Sequence, residues 1–179
     1  ILGSPDDERV PEVARASLAP LVSQFGLVND QVLENDRRVR ASARSTELGC
    51  RLMEVPGVGP VLASAMVATV PDPTAFKSGR NLAAWIGLVP RQNSSGGKAS
   101  LGRITKRGDD YLRTLLIQGA KSAVMSAHKR DDPISRWLVQ LTARVGWQKA
   151  CVAMANKNAR ILWAVMTRQA RYDPRHRSV

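Results

Sequence analysis

The sequence predicts an all-α fold: a helical domain containing a helix-hairpin-helix-like turn and a Ser/Gly-rich basic loop, preceded by a long helical, coiled-coil-like arm. Three observations predict it. Apolar residues recur at heptad steps near the start, a Pro-Gly-Val-Gly-Pro turn separates two helical patterns, and the segments after residue 108 keep an apolar face at helical period. A length of 179 residues with 44% apolar content suffices for one good core plus an appended arm. The expected division is 1–47 for a polar lead-in and arm, and 48–179 for the helical domain.

Composition narrows the function classes. A formal charge of +12 and a pI near 10.8 point to a polyanionic partner, and the basic residues are spread over several segments rather than confined to a tail. Nucleic acid is the leading partner. An anionic membrane surface is the rival, but there is no run of about 18 apolar residues and no segment with signal-peptide flanks. The expectation is therefore a soluble, intracellular protein with no membrane partner. Cys50 and Cys151 stand far apart, and His128 and His176 are the only histidines, so neither a disulfide framework nor a zinc or His-based metal site is supported. The chain begins at Ile1 within a polar stretch, which suggests part of a longer protein.

In chain order, residues 1–10 read as a loose lead-in. Pro11 and Glu12 open a helix, because Pro is tolerated at the first helical position and Glu favours the positive end of the dipole. Leu18, Leu21, Phe25, Val28, Val32 and Val39 then form a heptad seam, interrupted at its start by Pro20 and carrying Asn35 at a d-like position. That seam suits either packing on its own domain or pairing with another chain. Residues 52–70, LMEVPGVGPVLASAMVATV, give a helix end, a turn and a helix of small residues. Gly57 and Gly59 permit the tight turn, and Pro60 pre-sets the helix that follows. The amides of that turn could face a phosphate, although the same pattern also serves as a plain αα-turn.

Pro71-Asp72-Pro73 stops this helix. Asn81 is the expected cap of a short helix over residues 82–86 ended by Gly87, with Trp85 as a core anchor. Residues 91–108 read as a loop holding Ser94, Ser95, Gly96 and Gly97, with Arg91, Lys98, Arg103, Lys106 and Arg107 around it and Arg113 just beyond. A phosphate-binding P-loop does not fit, since Gln92 and Ala99 stand where Gly and Ser/Thr are needed. A nucleophile elbow of the G-x-S-x-G type is also missing. A serine among cations attacking a phosphodiester needs no histidine, because Arg and Lys can stabilise both the alkoxide and the pentacoordinate phosphorus. The plainer alternative is a flexible connector. Asp109 and Asp110 then cap and charge a helix over 111–128, Asp131-Asp132-Pro133 leads into another over 134–144, and a last helix spans 148–170. The tail, 171–179, is basic and suits either a solvated end or a backbone clamp.

The stretches PGVGPVLASAMVATV and FKSGRNLAAWIGLVPRQNSSGGKASLGRITKRGDDYLRTLLIQGA strongly resemble the C-terminal transposase domain of the insertion-sequence one-ten family, the group that includes the Piv-type DNA invertases. The resemblance is close over about residues 48–125, and the helical arm is similar to that family's coiled-coil segment. It implies an enzyme that cuts and rejoins DNA of a mobile element, guided by a structured RNA. It also implies a RuvC-like domain whose acidic residues bind Mg2+, and a serine here that becomes covalently joined to DNA. Ser95 matches that serine best and Ser94 is the alternative by one position. Arg91, Lys98, Arg103, Lys106, Arg107 and Arg113 are assigned to phosphates on charge, and Gly57 and Gly59 to the hairpin contact. No cofactor is expected in this chain, because the RuvC-like half and its magnesium are not recognisable in it. The chain is expected to be a fragment of a longer transposase or a truncated copy, inactive alone. The remaining expectations are a bacterial cytoplasmic, nucleoid-associated location and a homo-oligomer through the arm. A noncatalytic helix-hairpin-helix module that binds nucleic acid is the competing reading.

Overall fold

The computed structural model describes residues 11–92 and 101–174. Most of them are helical, as expected, but the basic loop opens and closes on two short strands. Seven α-helices run in the order α1 Glu12–Ser45, α2 Glu47–Met53, α3 Pro60–Thr69, α4 Gly79–Trp85, α5 Asp110–Ser126, α6 Pro133–Val145 and α7 Trp147–Arg168. Strands β1 Pro90–Gln92 and β2 Leu101–Ile104 lie between α4 and α5 and pair antiparallel. The chain divides into two compact units, Ile1–Ala41 and Ser42–Val179.

The first unit consists, where described, of Pro11 and α1 as far as Ala41. The helix continues through Pro20 rather than stopping there. Leu21, Phe25, Val28 and Val32 are all at least half exposed, so the seam is solvated over this part, whereas Val39 is partly buried. Glu34 pairs with Arg37 and Arg38, and Asp36 with Arg40, at helical spacing.

In the second unit, α7 packs on α5, α4, α6 and α2, and α5 also touches α3 and α6. Leu112, Leu116 and Ala120 of α5 meet Met154, Ala155, Ala159 and Leu162 of α7 in a core from which solvent is excluded. Side-chain caps mark the starts of α2, α5 and α6. Thr46 Oγ1 accepts the Gly49 N–H, Asp109 Oδ1 the Leu112 N–H at 2.7 Å, and Asp132 Oδ1 the Ser135 N–H at 2.9 Å. Two local expectations are corrected. Ser78, not Asn81, caps α4, because the Asn81 amide itself donates to Ser78 Oγ. Trp85 is 41% exposed and tilts against Phe76, with ring centroids 5.5 Å apart, instead of anchoring the core. The core position expected of it is filled by Ile86, which is fully buried.

Candidate nucleic-acid interface

The β1–β2 hairpin is held at its base by two interlocking glycines. Gly87 (φ +83°) lies so close to the Arg107 backbone that a Cβ would stand 2.1 Å from the Arg107 carbonyl oxygen. Gly108 (φ +100°) lies equally close to the Trp85 carbonyl, at 1.6 Å by the same measure. Only residues without a Cβ can adopt these left-handed angles at such range, so the two ends of the loop cross in direct contact. Thr105 N–H donates to Val89 O at 2.9 Å and Lys106 N–H to Gly87 O at 3.1 Å. From α7, Asn156 Nδ2 donates to Leu88 O at 3.2 Å.

Arg113 completes this clamp. Its guanidinium is buried, with the residue 7% exposed, and donates to Ile86 O at 2.9 Å, more weakly to Asp109 O, and to the Asp110 carboxylate. Expected as a phosphate ligand, its charge is here turned onto the protein. The two acids beside the loop are likewise occupied, Asp109 by the α5 amide and Asp110 by Arg113.

The cations above the clamp remain uncompensated. Arg91, Arg103, Lys106 and Arg107 are exposed, and among the described residues none of them pairs with a carboxylate. Arg91 reaches across the strands to Thr105 O at 3.4 Å. With Gly102, Ile104, Arg103 and Lys106 it lines an open recess on the hairpin, and Lys106 itself holds a positive φ of 55°. Such a cluster on an exposed ribbon attracts polyanions. Ser94, Ser95 and Lys98, which join the strands in sequence, lie outside the described residues.

The other expected site elements separate from the hairpin. Gly57 (φ +82°) backs onto α5, where a Cβ would meet Gly119 O at 2.4 Å, and Asn158 Nδ2 fastens the preceding Pro56 carbonyl at 2.9 Å. Gly59 is exposed, precedes α3 and has open space where a Cβ would lie. Sequence reading missed Asn156, Gly87 and Gly108 as clamp residues. It also missed Lys157 on α7, whose ammonium stands 5.1 Å from the Trp137 ring centre. Burial, and then the charge of Arg160, push the Lys157 pKa below its ordinary value. No three His, Cys, Asp or Glu side chains gather among the described residues. No described helix is long and apolar enough to cross a membrane.

The family model described as Transposase IS116/IS110/IS902 family matches residues 50–135, which include the turn, the hairpin and α5. A protein of Pseudomonas aeruginosa named "Probable family 20 transposase" is 45% identical over 157 residues, 88% of this chain and 46% of the relative. The transposase for insertion sequence element IS1111A of Coxiella burnetii is 44% identical over 80% of this chain and 40% of its own length. That for IS1328 of Yersinia enterocolitica is 35% identical over 91% of this chain and 49% of its own. The chain thus spans about half the length of the curated relatives it matches.

Proposed function

The chain belongs to the IS116/IS110/IS902 transposase family, and on that footing we propose that it is the part of such an enzyme that grips DNA and supplies a serine nucleophile. Ser95 is the nucleophile and Ser94 its alternative. The observation that carries this reading is the division of charge at the hairpin: the nearby acids and Arg113 are consumed in the clamp, while Arg91, Arg103, Lys106 and Arg107 stay exposed. Arg91 and Arg103 flank, in sequence, the stretch that carries the two serines.

The chemistry follows from the residue types. The Ser95 oxygen bonds to phosphorus as the bond from phosphorus to the departing strand oxygen breaks, and the hydroxyl proton is transferred to that oxygen through solvent. The arginines and lysines stabilise the extra negative charge on the phosphorane. The serine ester retains a reactive phosphodiester, so a second strand's hydroxyl can displace the serine and restore it. Magnesium belongs, in this reading, to an acidic RuvC-like domain that completes the enzyme, and no step here is routed through it. A structured guide RNA is the second polyanion, in keeping with the +12 charge. The exposed apolar seam of α1 pairs with another copy of the arm.

The test is a nicked suicide DNA substrate incubated with the protein completed by a RuvC-like acidic domain. A covalent protein–DNA adduct should form and should vanish in Ser95→Ala. Its persistence in Ser95→Ala with loss in Ser94→Ala would move the nucleophile to Ser94, its persistence in both would place it on another residue, and the lack of any adduct from the wild-type completed protein would leave a nucleic-acid-binding module without this chemistry.

A further inference from the structure

A polar cleft of about 160 Å3, far larger than a single water needs, opens beside the turn between α2 and α3. Its polar lining comes from separate parts of the chain: Gly57 of the turn, Ser122 and Ser126 of α5, Arg130 from the connection that follows, and Ser135 of α6. The close approach of Gly57 to Gly119 assembles it, because Ser122 and Ser126 lie one and two helical turns beyond Gly119 on α5.

Several donors of this cleft have no partner within the described residues. Arg130 gives its Nε–H to Asp132 Oδ2 at 3.0 Å, and among the described residues its two terminal nitrogens have no acceptor. The Ser122 hydroxyl and the Gly57 amide likewise have no acceptor among the described residues. No carboxylate lines the cleft, and Asp132 beside it is already engaged by the Ser135 amide at 2.9 Å, the Ser135 hydroxyl at 2.8 Å and Arg130. Burial pushes its pKa up, but those hydrogen bonds and the Arg130 charge outweigh burial and hold it below the usual carboxylate range. Asp132 therefore stays ionised and fixes Arg130 at the rim.

We propose that this cleft seats one backbone phosphodiester of a bound nucleic-acid strand, at a point separate from the basic hairpin. The proposal rests on the nucleic-acid-binding reading above and gives it a second grip. The hairpin leads into the start of α5 and the cleft lies beside its last turns, about 20 Å along the helix at ~1.5 Å per residue. A strand held at both ends of α5 is fixed in register, which a single point of contact cannot do.

Titrations over a range of salt, with a short random-sequence DNA duplex in one arm and an RNA hairpin of matched charge in the other, test the proposal on the full chain. Arg130→Ala should weaken binding several-fold and lower the log–log salt slope on duplex DNA by about 0.9, the share of one neutralised phosphate. Arg130→Lys should restore most of the slope. Ser122→Asp, which adds a carboxylate to an exposed position and leaves Arg130 and the core intact, should weaken binding in the same arm. Loss in the duplex arm identifies the strand as DNA, and loss confined to the other arm identifies it as RNA. Wild-type affinity and slope for both Arg130→Ala and Ser122→Asp would overturn the cleft alone, whereas no salt-dependent binding by the wild-type chain would overturn the nucleic-acid reading with it.

Discussion

Two glycines of one turn carry opposite burdens. Gly57 combines a left-handed φ with the backbone of Gly119 at its side, so Gly57→Ala meets both a backbone penalty of ~1–2 kcal/mol and overpacking of ~1–3 kcal/mol. Gly59 has φ −99° and open space, so Gly59→Ala meets no clash and costs only the poorer capping of Ala at the start of α3, about 0.5–1 kcal/mol. Urea denaturation of the two variants reads the difference directly. Arg113 is the other residue whose role depends on distant neighbours. Arg113→Met should cost about 1–3 kcal/mol, mostly from the orphaned Ile86 carbonyl, since the link to the exposed Asp110 adds little. The amides of Thr105 and Lys106 should then exchange faster than those of α7, because the clamp and not the core is loosened. In the sequence Arg113 is one more cation in a basic run. Its burial is set by α4 and the Gly87 turn, which no local pattern reveals.

At the scale of elements, the helices were the most legible part. Local signals place α1, α3, α5, α6 and α7 to within a few residues: Asp109 and Asp132 cap α5 and α6, Pro60 opens α3, and apolar spacing marks α1 and α7. The strands were not legible. Pro90, Arg91 and Gln92 are all exposed and show no inward-outward alternation, and what pairs them with residues 101–104 is the glycine crossing at the base. Trp85 was misplaced for a similar reason, since the inward position on that short helix is taken by its neighbour Ile86. The arm yields a prediction of its own. Its apolar seam is solvated, with Phe25 74% and Val32 60% exposed, so Phe25→Asp with Val32→Asp should abolish a concentration-dependent oligomer in sedimentation velocity. The helix content should not change, because neither side chain is buried in the chain itself.

Across the whole molecule, a charge of +12 forecast a polyanion and left open which cations meet it. The fold sorts them. Arg113 is withdrawn into a clamp and Lys157 is half buried against Trp137, while Arg91, Arg103, Lys106 and Arg107 remain on the hairpin and Arg130 stands at a separate cleft. The hairpin cations could be picked out from the sequence because they cluster along it. Arg130 could not, because the turn it faces comes from Pro56 and Gly57, far earlier in the chain. The central claim is that the strand-joining stretch of this hairpin carries the nucleophile. Peptide mapping by mass spectrometry of the trapped protein–DNA adduct tests it most directly. A nucleotide esterified to the peptide at Ser95, or at its neighbour Ser94, is the result expected. A nucleotide on a residue outside the stretch between β1 and β2 would contradict it.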